Sequence, residues 1–132
     1  MGCSATKQLR SQLEGEGQEV ELITFGCLSG GCQYLGLSSK GAMQMKGNGV
    51  LALTNKQIVL KGFAGVTDFE CHRQHISKVE VTNSYPGGLS TLPLIKITFC
   101  KENSPEDSLH VCVPPTHRTK WVNALQNVWT KA

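Results

Sequence analysis

Between Glu19 and Val113 apolar and polar residues alternate in short runs, the period-two signature of half-buried strands. Val20, Leu22 and Thr24 share one side of the run Glu19 to Phe25. Gln33 to Leu37 is a second short run, reached through a turn or bulge from Gly26 to Cys32. Ser38 to Gly49 is broken by glycine and serine around Ala42-Met43-Gln44-Met45, and reads as a loop with one weak strand. Val50 to Thr54 and Gln57 to Lys61 meet at Asn55-Lys56, a tight-turn site because Asn tolerates left-handed backbone angles. Leu51, Leu53, Ile58 and Leu60 fall on period-two faces of that pair. A turn from Gly62 to Gly65 precedes a short strand, Thr67 to Cys71. Ile76 to Thr82 follows, with Val79 and Val81 on one face. Asn83 to Gly88 reads as a long turn and Leu94 to Cys100 as a strand. Glu102 to Asp107 is a polar loop, and Leu109 to Val113 a final strand.

The period changes at both ends. Leu9 and Leu13 stand at helical spacing within Ala5 to Glu14, a helix too short to hold without packing on something. After Pro114-Pro115, Thr116 is placed as a helix N-cap. Trp121, Leu125 and Val128 then recur at i, i+4 and i+7, flanked by Val122 and Trp129, as in an amphipathic helix. About seven short strands followed by one helix must bury a sheet face, by closing the sheet or by stacking two. A helix with two tryptophans suits the open end of such a barrel.

The run Gly49-Val50-Leu51-Ala52-Leu53-Thr54-Asn55-Lys56-Gln57-Ile58-Val59-Leu60 resembles the hairpin signature of GRAM and related pleckstrin-homology-like (PH-like) domains. His75-Ile76-Ser77-Lys78-Val79-Glu80 is similar to the strand that follows in that family. Leu13-Glu14-Gly15-Glu16 is similar to its acidic entry, and Lys120-Trp121-Val122-Asn123-Ala124-Leu125 to its closing helix. The resemblance implies a mainly β (α+β) fold, a small antiparallel barrel or sandwich closed by a C-terminal α-helix. It places the domain at residues 14–132, after an N-terminal segment 1–13. It also implies a non-catalytic binding module that recognises a membrane surface (phospholipid) or a protein partner. A scaffold that receives a peptide strand at a sheet edge is an alternative, and a Cys/His metal-dependent enzyme a lesser one. Lys40, Lys46, Lys56, Lys61 and Arg73 are the ligand-binding candidates if strand ends and turns bring them to one rim, with Lys78 nearby. The Lys-x(n)-Arg-x-Arg cluster of strong phosphoinositide binders is absent, since the early loops offer only Lys40 and Lys46.

Composition narrows the choice. A chain of 132 residues fits one domain with a core that needs no disulfide or metal. A net charge of +3 is too small to argue for nucleic acid. No apolar run approaches the ~18–20 residues of a spanning helix. Met1 to Lys7 lacks the apolar core of a secretory signal, so a cytoplasmic location is expected. Met1-Gly2-Cys3-Ser4-Ala5-Thr6 fits acylation at Gly2 and Cys3, which would add a peripheral place at a membrane. The six cysteines are expected as free or buried thiols, with Cys100 and Cys112 inside apolar segments. Cys27, Cys32, Cys71, His72 and His75 are zinc-compatible in type but not in spacing, so no metal or other cofactor is expected. Ser29 lies in Gly26-Cys27-Leu28-Ser29-Gly30, where Cys27 stands in place of the glycine that a nucleophile elbow needs. No phosphate loop and no catalytic triad is legible, and an enzyme is not expected.

Overall fold

Among the described residues the alternating runs become eight antiparallel strands, and the two ends become helices. The computed structural model describes residues 2–25, 33–41, 43–44, 47–62 and 68–131. The elements are α1 (Gly2–Gly15), β1 (Val20–Phe25), β2 (Gln33–Leu37), a 3-10 turn (Ser38–Lys40), β3 (Gly47–Thr54), β4 (Gln57–Gly62) and β5 (Phe69–His72). A second 3-10 turn (Arg73–His75) leads into β6 (Ile76–Tyr85), β7 (Gly88–Phe99), β8 (Asp107–Cys112) and α2 (Pro115–Lys131). The turn expected from Gly26 to Cys32 lies outside the described residues, as does most of the one from Gly62 to Gly65.

The strand path runs β5-β4-β3-β2-β8-β7-β6, with β1 also on β3. β1 and β2 occupy the same edge of β3, end to end. Phe25 pairs with Val50 and Gln33 with Asn48. The two together act as one strand line, the first half on the β3–β4–β5 side and the second crossing to β8. The path must also curl. β5 and β6 are its two ends, yet only Arg73 to His75 separates them in the chain. That corner is fastened on both sides, by Arg73 N–H to the Lys56 carbonyl at 2.9 Å and by Cys100 N–H to the His75 carbonyl at 2.9 Å.

The curled interior holds Leu51, Leu53, Ile58, Leu60, Ile95, Ile97, Leu109 and Val111. α2 lies against β6 and the Arg73–His75 corner, and brings Trp121 and Leu125, both fully buried, into this core. Its start differs from expectation: the helix begins at Pro115, not after a Thr116 cap. Proline suits the first helical position, and the Pro114 carbonyl accepts from His117 N–H and Arg118 N–H at 2.8 and 3.1 Å.

A second apolar cluster explains why Val50-Leu51-Ala52-Leu53 reads as unbroken hydrophobic sequence. Val50, Ala52 and Val59 point away from the interior and are covered by Leu9 and Leu13 of α1. β3 is therefore buried on both faces, as a strand between two layers must be. α1 also supplies the packing that its short sequence needed.

Two further expectations change. Among the described residues between Ser38 and Lys46 there is no strand; the chain forms a 3-10 turn and a bend, and β3 starts at Gly47. The segment Asn83 to Gly88 is mostly strand: β6 continues to Tyr85 and β7 starts at Gly88, leaving Pro86-Gly87 as the turn. Val79 is buried, but Val81 is 52% exposed because this hairpin runs out beyond the core. Cys112 is buried as expected, whereas Cys100 lies just past the end of β7 and is exposed.

Candidate functional site

At the seam where the curled path meets itself, Phe69 on β5 faces Phe99 on β7, their ring centroids 5.2 Å apart at 60°. The period-two pattern turns both rings inward, and the curl makes them neighbours. A cleft of about 510 Å³ opens beside them. Its walls are β5, the Ser38–Lys40 turn and the loop before β8. β5 has β4 as its sole strand partner among the described residues.

The cleft already seats a cation. The Lys101 ammonium stands 5.7 Å from the Phe69 centroid and 5.9 Å from that of Phe99. Around it are Lys40 and four carboxylates, Asp68, Glu70, Glu106 and Asp107. Two of these have structural work. Asp107 accepts Ser39 N–H at 2.9 Å, Ser39 O–H at 2.5 Å and Ser108 N–H at 2.8 Å, which fixes the turn to β8. Asp68 accepts Lys61 Nζ and Gly62 N–H, both at 2.9 Å, and the lysine hydrogen bond is the main reason its carboxyl titrates below the usual range. Glu70 and Glu106 make no ion pair among the described residues. The lining is thus net negative, with an aromatic floor that attracts cations.

The described candidates expected to share a rim stand in different places. Lys40 reaches the cleft. Lys56 is exposed on the β3–β4 turn. Lys61 is paired with Asp68 and lines a separate hollow of about 290 Å³ beneath α1. The Arg73 guanidinium donates to Glu21 at 2.6 Å and to the Thr54 carbonyl at 2.8 Å, bracing the corner between β5 and β6. Lys46 lies outside the described residues. Gly2 and Cys3 fall in the first turn of α1.

Phe69, Glu70, Phe99, Lys101 and Glu106 were not legible as a site. They lie in two stretches some thirty residues apart, and only the seam joins them. The one local signal was inward-facing phenylalanine at two strand ends.

Burial disfavours the thiolate at two of the described cysteines. Burial pushes the Cys71 thiol up to about 11, against a small opposing pull from Lys101, so it stays protonated at neutral pH. Burial also raises Cys112. His72 and His75 have ring centroids 6.0 Å apart, and no group of three or more metal-ligating side chains forms among the described residues. Cys27 and Cys32 lie outside them. No helix among the described residues is long and apolar enough to cross a membrane.

No family model matches the chain, and no curated protein matches it. Among solved structures it is similar to the C-terminal domain of an unknown protein from Leishmania infantum, at 13% identity and a TM-score of 0.60. The match covers 94% of this chain and 96% of that one. The likeness is one of fold.

Proposed function

We propose that the chain is a non-catalytic PH/GRAM-like binding module that receives a basic segment of a protein partner in the seam cleft. The observation that carries this is the Phe69–Phe99 pair holding a lysine ammonium of its own chain in a net-acidic cleft beside the open edge of β5. A partner's lysine or arginine takes the place of Lys101 over the rings, Glu70 and Glu106 receive neighbouring positive charge, and the β5 edge accepts main-chain hydrogen bonds. The PH/GRAM-like assignment draws on the hairpin and closing-helix motifs. A curled antiparallel sheet with a helix against it agrees with them.

Phospholipid-headgroup recognition has less to stand on. Lys61 and Arg73 are engaged by Asp68 and Glu21, and the cleft that Lys40 borders would repel phosphate. Catalysis also lacks support, since the Cys71 thiol beside the cleft is held neutral. Acylation at Gly2 and Cys3 remains part of the proposal, as a tether that brings the module to a membrane.

The test is a titration of isotope-labelled chain with a lysine- and arginine-containing peptide, an acidic peptide and a soluble inositol phosphate. The basic peptide is expected to shift the amides of Phe69 to Cys71, Phe99 and Lys101, and added salt to weaken the effect. Shifts caused by the inositol phosphate alone, or none at β5 with any of the three, would refute the reading.

A further inference from the structure

We propose that the tip of the β6–β7 hairpin enters the interface of a lipid bilayer. The large apolar side chains most exposed among the described residues are Met43, Val81, Leu89 and Leu92, at 97, 52, 78 and 47%. Three of the four sit on this one hairpin, and apolar exposure gathered in one place marks a contact surface.

The hairpin is built to hold them outward. Its ladder passes from Thr82↔Leu94 to Ser84↔Leu89, so Ser90 to Pro93 bulge opposite Asn83. Polar side chains tie the bulge from within: Asn83 Nδ2 donates to the Ser90 carbonyl at 3.3 Å, and Ser90 Oγ accepts Leu92 N–H at 3.1 Å. Thr82 Oγ1 accepts Ser84 N–H at 3.2 Å. A hairpin that pairs its own backbone can leave water at lower cost.

Charge distinguishes the occupant. From Val81 to Ile95 there is no charged residue, in a chain that is 17% charged. Charges return together at the base, where Lys78 and Lys96 flank Glu80 at 3.5 and 3.7 Å. Five residues of strand separate Glu80 from Tyr85 at the turn, about 16 Å at ~3.3 Å each. With Leu89 and Leu92 at the acyl boundary, the Lys78–Glu80–Lys96 cluster stands at headgroup depth, where its two lysines outweigh the one carboxylate and anionic lipid attracts the surplus positive charge. A protein partner would be read by charges and hydrogen bonds around an apolar centre. The tip carries no charge, and several of its Asn, Ser and Thr groups are engaged within the hairpin.

The test uses vesicles of mixed phosphatidylcholine and phosphatidylserine and the chain without acyl groups. Leu89→Trp is expected to give emission that, relative to the parent, moves to the blue and is quenched by brominated lipid. Leu89→Asp with Leu92→Asp is expected to lower vesicle partitioning at least about tenfold at an unchanged melting temperature. Met43→Asp is expected to leave partitioning unchanged. A water-exposed signal from the introduced tryptophan on vesicle-bound chain, parent-like partitioning of the aspartate pair, an equal loss in Met43→Asp, or no partitioning of the parent each overturns the proposal. The cleft shares no residue with the hairpin tip, Val81 to Leu94, so the peptide titration and the vesicle assay fail independently.

Discussion

Replacing Gln44 by alanine is expected to be costly for a residue in a bend. Its side-chain amide acts like a neighbouring strand toward Leu37. Oε1 accepts Leu37 N–H at 2.9 Å, and Nε2 donates to the Leu37 carbonyl at 2.9 Å and to the Gly41 carbonyl at 2.5 Å. Oε1 also accepts the Tyr34 hydroxyl at 2.5 Å. Tyr34 is fully buried, and burial raises its pKa, so the phenol stays a donor. Gln44→Ala strands two donors, Tyr34 O–H and Leu37 N–H. Each costs ~1–3 kcal/mol when left unmet, and water reaching the open side offsets part, for a net loss of about 2–4 kcal/mol. Tyr34→Phe removes its own donor and leaves the Leu37 pairing intact, so about 1 kcal/mol is expected. Urea unfolding of both single variants and the double variant supplies the cycle. With Gln44 already gone, Tyr34→Phe should be neutral or favourable because it removes an orphan hydroxyl. The reasoning is refuted if Gln44→Ala costs under ~0.5 kcal/mol, or if Tyr34→Phe destabilises the Gln44→Ala background as much as the parent.

Arg73→Met is expected to lower stability by about 1 kcal/mol, the pair with Glu21 being partly exposed and discounted for screening, without changing basic-peptide affinity. Thermal melts and the titration above check the two halves separately. His110 is 4% exposed with Nδ1 at 3.2 Å from the Gly36 carbonyl, and burial holds its pKa below the ordinary 6.5. The unfolded chain takes up the proton first on acidification. The stability it contributes is therefore present above about pH 6.5 and is lost as pH falls through the folded value, and urea midpoints should show a slope there that His110→Gln flattens. Cys71, with its thiol near 11, should alkylate far more slowly at mildly alkaline pH than the exposed Cys100; equal labelling by mass spectrometry would count against the buried placement.

The strands were legible because alternation records which side of a sheet is wet. Ile95, Ile97 and Phe99 on β7, and the Asn55-Lys56 turn, are cases where the sequence pattern and the coordinates coincide. The Trp121–Leu125 stripe is another. What failed did so for definable reasons. Val50 and Ala52 look surplus until α1 covers the outer face, a tertiary fact without local trace. Gln33 to Leu37 is a strand as read, but sequence does not show that Gly36 within it is a kink, with a φ of +123° and the Gln44 amide 2.8 Å from an added Cβ. Arg73 and Lys61 carry the charge a binding site would want, and sequence cannot show that Glu21 and Asp68 take it first. The cleft was invisible because Lys101 and the polar loop after it, which holds Glu106, read as ordinary solvated chain.

The pairing of β2 with β8 sets an order of events during synthesis. Gln33 must find Cys112, and Leu37 must find Leu109, across most of the chain's length. Local hairpins such as β3–β4 and β6–β7 can form early, while that long closure waits and makes the last step slow. On the ribosome, the line begun by β1 stays half matched until β8 has emerged. A nascent chain halted before residue 107 would expose the apolar faces of Leu37 and Tyr34, and would depend on a chaperone to stay dispersed.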